Sequence, residues 1–92
     1  MQKSLRTPRQ QLLQYLLVEA RKAKGLTQAD VADALGKPQS FVAKYENGER
    51  RVGVVEFVDI AVALEVSAAE ILSKIESADR GPKKSRRRIR NG

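Results

Sequence analysis

Ninety-two residues with eighteen Lys or Arg against eleven Asp or Glu, a formal charge of +7, are enough for one small domain with a modest core. The chain has neither cysteine nor histidine, which removes disulfides, thiolate metal sites, the usual zinc ligands and the usual general base. The opening stretch is polar and shows no secretory leader, and no apolar run approaches a membrane span, so an intracellular, reducing setting is expected.

Five helices are predicted and no strand. Thr7 can cap the first, Pro8 suits its first position, and Gln10 completes a capping-box pattern. Leu12, Leu13, Leu16, Leu17, Ala20 and Ala23 recur at helical spacing as one apolar stripe, with Tyr15 read as a half-buried core residue. Gly25 ends this helix. The second opens on Thr27, with Asp30 three residues on, turns Val31, Ala32 and Leu35 inward, and stops at Gly36, where a positive φ is cheap only for glycine. Asp30 and Asp33 lack a His or Cys partner and read as a solvated face. The third helix begins near Pro38 or Gln39 and runs to about Glu46, ended by Asn47-Gly48. The fourth spans roughly Val54 to Leu64, with Val54, Phe57, Val58, Ala61 and Leu64 expected inward. The fifth starts after Ser67, with Glu70 closing another capping-box pattern and Ile71, Leu72 and Ile75 packing it down.

Beyond Asp79 the apolar pattern ends. Residues 80–92 contain seven Lys or Arg and no acid, and the other eleven basic residues are balanced by all eleven acids, so this tail carries the whole net charge. It is predicted to be disordered. A polyanion partner and a merely solubilising appendage are both consistent with it.

The third helix has the chemistry of a reading head. At about 100° per residue, Val42 and Tyr45 define an inner face, while Ser40, Ala43 and Lys44 share the opposite one. Gln39 stands at the N-terminal tip and Phe41 at the edge. Gln can pair with an adenine edge, Lys with guanine O6 and N7, Ser with either kind of edge, and Ala or Phe with a thymine methyl. Polar surface helices are common, so the discriminating features are the tight glycine turn before this helix and the small Ala32, which allows the two helices to cross closely.

Counted from Gln28, Ala32 is fifth, Gly36 ninth, Val42 fifteenth and Tyr45 eighteenth. With the leading LTQ, the QS that opens the third helix and the closing ENG, the segment LTQADVADALGKPQSFVAKYENGERR resembles the Cro/C1-type (XRE family) helix-turn-helix. The resemblance covers about residues 10–75. It implies an all-α, five-helix lambda-repressor-like DNA-binding domain at 7–78, between a flexible N-terminus (1–6) and a disordered basic tail (79–92). It implies a cytoplasmic, nucleoid-associated regulator of bacterial or phage type. Such a protein is usually a repressor and binds a palindromic operator in double-stranded DNA as a homodimer. It would have no cofactor, metal, small-molecule ligand or enzymatic activity.

Residue by residue, the resemblance makes Gln39, Ser40 and Lys44 base-reading positions, with Phe41 and Ala43 beside them. Gln28 resembles the family glutamine that bonds a phosphate and buttresses the first residue of the third helix. Lys37, Asn47, Arg50 and Arg51 would face phosphate, although Arg50 and Arg51 could instead pair with Glu46 or Glu49. In the tail, Lys83, Lys84, Arg86, Arg87, Arg88 and Arg90 are the candidate nucleic-acid contacts. Pro38 stands where a Ser or Thr cap is common, Phe41 is larger than usual and Ala43 is short; these departures bear on base preference. Two other readings stay open. In one, the domain is a protein-interaction module of the same fold, such as an antitoxin, coactivator or antiactivator with a regulatory protein partner. In the other, the arginine-rich tail binds RNA.

Overall fold

The computed structural model describes residues 7–78; the readings of a flexible 1–6 and of a basic tail from 79 lie outside them. Five helices follow in order: α1 (Pro8–Ala23), α2 (Gln28–Leu35), α3 (Gln39–Glu46), α4 (Val54–Leu64) and α5 (Ala68–Glu76). Among the described residues there is no strand, and no helix is long and apolar enough to cross a membrane.

Local chemistry sets the helix ends. The Thr7 hydroxyl accepts the Gln10 amide at 3.1 Å, with Pro8 at the first position of α1. At α2 the capping box is reciprocal: the Thr27 hydroxyl accepts the Asp30 amide at 3.0 Å, and the Asp30 carboxylate accepts the Thr27 amide at 2.9 Å. The Thr27 backbone amide foremost, and the Thr27 side chain after it, hold the Asp30 carboxyl below its usual range. Ser67 caps α5 through the Glu70 amide at 3.1 Å. A further cap was not foreseen: the Glu56 carboxylate reaches back to the Gly53 amide at 3.0 Å and fixes the start of α4. α3 starts at Pro38 without a side-chain cap. In α2 and α4 the C-cap itself is left-handed, Gly36 (φ 67°) and Glu65 (φ 60°). Glu65 adopts this conformation with a Cβ, which L-residues avoid.

The core is built from Leu17, Val31, Ala32, Val42, Tyr45, Phe57, Ile60, Ala61, Leu64 and Ile71. Leu13, Leu16, Ala20, Leu26, Leu35, Phe41, Val52, Val66, Ala68 and Ile75 pack around it. Each fully buried aliphatic side chain contributes roughly 1.5–3 kcal/mol. α2 packs against α3 and α4, α1 against α3 and α5, and α4 against α5. The small Ala32 is buried on α2, which packs against α3 and α4.

Three expectations are corrected. Val54 and Val58 face solvent, at 79% and 44% exposure, and Ile60 is fully buried in their place. Leu72 is 52% exposed, so α5 is held by Ile71 and Ile75. Tyr15, expected half-buried, is 60% exposed, while Leu17 of the expected α1 stripe is buried at 1%. In α4 the cause is plain. VVEFVDIAVAL is apolar on nearly every side, so periodicity cannot choose the inner face, and docking on α2 chooses it.

Candidate nucleic-acid interface

α3 owes its orientation to two buried side chains. Val42 (0% exposed) and Tyr45 (2%) plug it into the core, and burial raises the Tyr45 hydroxyl pKa well above its usual value. Gln39, Ser40 and Lys44 are exposed on the other side, with Ala43 and Phe41 half-buried at the margins. Lys37 and Asn47 are exposed at the two ends of the helix. The five residues expected to meet base edges therefore share one surface with these flanking positions.

The tip of α3 is held from below. Gln39 Nε2 donates to Gln28 Oε1 at 3.3 Å, the buttress that the resemblance implied. Gln28 Nε2 in turn donates to Glu46 Oε1 at 2.9 Å. Glu46, with its side chain 5% exposed, also accepts from Arg21 Nε at 2.8 Å and Nη2 at 3.1 Å. Arg21 spends its remaining Nη1 on the Leu26 carbonyl at 2.8 Å, which ties down the loop into α2. Hydrogen bonding to Glu46 raises the Arg21 pKa further above its usual value. Gln14 Nε2 lies 3.4 Å from the Glu46 carbonyl as a weak additional donor. Gly48 follows the Asn47 cap at φ 78°, a conformation that favours glycine, and a Cβ there would press on the Gln14 amide group at 3.0 Å.

Sequence reasoning missed Arg21 and Glu46. Their signal was present: Glu46 lies four residues after Val42, on the inner stripe of α3, where a carboxylate needs a partner. α1 supplies that partner across the core.

On the other flank, Phe41 carries two cations. Arg50 lies 4.7 Å from its ring centroid and the Lys37 ammonium 5.5 Å, while Tyr45 meets its edge at 5.6 Å between centroids. Arg50 pairs with neither Glu46 nor Glu49. Its guanidinium grips Glu56 with two bonds, Nη1 at 2.8 Å and Nη2 at 2.9 Å, and Nη1 also reaches the Arg51 carbonyl at 3.0 Å. The Arg50 hydrogen bonds, with help from the Gly53 amide, lower the Glu56 carboxyl to a pKa of about 2. Arg51 is exposed in the same loop. Lys83, Lys84, Arg86, Arg87, Arg88 and Arg90 lie outside the described residues. Also among the described residues, no group of three or more His, Cys, Asp or Glu could hold a metal ion.

Two short helices crossing at a glycine turn, the second buttressed at its tip and polar on its outer face, form a helix-turn-helix. The chain belongs to the XRE (Cro/C1-type) family of helix-turn-helix DNA-binding transcription regulators, and the helix-turn-helix family profile matches residues 17–71. Among solved structures, an XRE-family like protein from Pseudomonas syringae pv. tomato str. DC3000 is 47% identical with a TM-score of 0.76, over 82% of this chain and 92% of that one. The restriction-modification controller protein C.AhdI from Aeromonas hydrophila is 35% identical with a TM-score of 0.61, over 65% of this chain and 91% of that one. A variant of another such controller, C.Esp1396I, is 21% identical with a TM-score of 0.69, over 76% and 89%, and shares the fold. No curated protein sequence matches this chain at a significant level.

Proposed function

We propose that the protein is a homodimeric repressor that binds a palindromic operator and blocks polymerase access. The domain at 7–78 is the DNA-binding unit. Each protomer lays α3 in one major groove, with half-sites about one helical turn (~34 Å) apart. Gln39, Ser40 and Lys44 read base edges, and Phe41 and Ala43 offer apolar contact to thymine methyls. Gln28, Lys37, Asn47, Arg50 and Arg51 set the register against phosphates. Lys83, Lys84, Arg86, Arg87, Arg88 and Arg90 add salt-sensitive affinity. The similarity to C.AhdI, a restriction-modification controller protein, supports a regulatory role.

The observation that carries this reading is the Gln39–Gln28–Glu46–Arg21 chain of hydrogen bonds. It pre-orders the tip of a helix whose outer face has no role in the core, which is what positioned base contacts need. The test is binding to duplex from the region upstream of the protein's own gene, against random duplex, at two salt concentrations. Operator preference should survive the higher salt with two protomers per site. Lys44→Ala should weaken operator binding by roughly 1–3 kcal/mol and random binding much less. Equal losses on both would reduce Lys44 to a phosphate contact. Wild-type binding that ignores sequence and vanishes with salt would overturn the reading and turn attention to protein or RNA partners.

A further inference from the structure

α4 is apolar on two opposite faces, and the core uses only one. Phe57, Ile60, Ala61 and Leu64 are at most 5% exposed. On the other side, Val54, Val55, Val58 and Val62 are 79%, 74%, 44% and 71% exposed. At helical spacing these four valines fill one arc of about 100° with no polar residue among them. A helix that is apolar all round belongs in an interior. Valine is also a poor choice for a solvated helical position, because its branched Cβ loses rotamer freedom there. In the isolated protomer this face is therefore disfavoured twice, by hydration and by helix propensity.

The pattern of the face says what covers it. Val54, Val58 and Val62 lie at i, i+4 and i+8, symmetric about Val58, over roughly 12 Å of helix. A second α4 running antiparallel presents the same three side chains in the same register, with Val58 against its counterpart and Val54 against Val62 of the partner subunit. That is the self-complementarity a two-fold interface requires, and i±4 ridges are a common way for helices to interdigitate. The charges at the ends agree. Arg51 precedes α4 and Glu65 terminates it, both exposed. Antiparallel packing sets each Arg51 end against the Glu65 end of the partner subunit, and parallel packing would set like against like. The face has no hydrogen-bond donor for a phosphate, and Asp59 and Glu65 beside it disfavour an anionic lipid surface.

We infer that the exposed valine face of α4 is the two-fold dimer surface of this protein, with the two α4 helices packed antiparallel about Val58. The inference rests on the homodimer reading above and specifies its surface and register. Leu72, exposed on the neighbouring α5, adds apolar area on the helix that packs beside α4.

Sedimentation equilibrium on the full chain tests it, with circular dichroism to check helix content. Wild type should be a dimer. Val58→Asp brings two carboxylates together at the axis and should weaken dimerisation roughly 100-fold or more. Val54→Lys alone and Val62→Glu alone should each weaken it. The chain carrying both should recover most of the dimer, because an antiparallel partner sets each new cation against a new anion. A folded Val58→Asp variant as dimeric as wild type would overturn this surface and leave the homodimer reading intact. A double variant no better than the single ones would overturn the antiparallel register. A wild type that is monomeric both free and on operator DNA would overturn the surface and the homodimer reading together.

Discussion

Arg21 and Arg50 each hold a glutamate through two nitrogens, at 2.8–3.1 Å for Glu46 and 2.8–2.9 Å for Glu56. The chemistry is the same and the surroundings differ. In the first pair the side chains are 14% and 5% exposed, and in the second 39% and 33%. The inner pair joins α1 to the end of α3 and, through Gln28 and the Leu26 carbonyl, holds both entrances to the helix-turn-helix. The outer pair closes a short loop onto the first turn of α4 and lies over Phe41. Solvent makes the difference. A carboxylate withdrawn from water cannot be left alone, whereas one at the surface is re-solvated when its partner leaves. The inner pair therefore fixes the architecture, and the outer one is free to adjust near DNA.

The largest expected effect comes from breaking the inner pair. Glu46→Ala strands Arg21 and removes the acceptor of Gln28, and should cost about 3 kcal/mol in urea unfolding. Folded protein that remains should discriminate operator from random DNA less well, because Gln39 loses its support through Gln28. A cost below about 1 kcal/mol would abolish the distinction between the pairs.

The outer pair should give the smaller response and a clear pH signature. Glu56→Gln should cost less than about 1 kcal/mol near neutrality, and less again at high salt. In the folded chain the Glu56 carboxyl titrates near 2 in place of its ordinary 4.5. A lowered folded value means that the stabilisation is complete above the ordinary value and lost as pH falls from about 4.5 towards 2. The stability difference between wild type and Glu56→Gln, measured across that range, should shrink with acidification. A difference that grows would show that the carboxylate is not what stabilises the loop.

Much of this fold was legible from short-range signals. Thr7-Pro8, Thr27, Gly36 and Ser67 mark helix ends through chemistry that acts within three or four residues, and the structure uses them there. The outward set on α3 was equally legible, because Val42 and Tyr45 leave only one way to rotate it. What could not be read depends on which helices meet. The position of Glu46 on the inner stripe of α3 called for a partner, but nothing local named Arg21, twenty-five residues earlier. The true partner of Arg50 lies six residues later, and it became reachable only when the loop folded back over α4. The two faces of α4 were indistinguishable in sequence because both are written in the same aliphatic residues.

Glu65 gives this chain room to change. Its left-handed conformation at the end of α4 carries a steric cost that Gly36, at the end of α2, does not. Within the protomer its ion pair with Lys24 is long, at 3.8 Å, and exposed, so little is gained there. Glu65→Gly should raise thermal tolerance by up to about 1 kcal/mol, readable as a higher Tm. The position is thus an evolutionary reserve. A lineage that accumulates destabilising changes on the DNA-reading face, while drifting towards a new operator, could recover stability here without touching a single residue of α3.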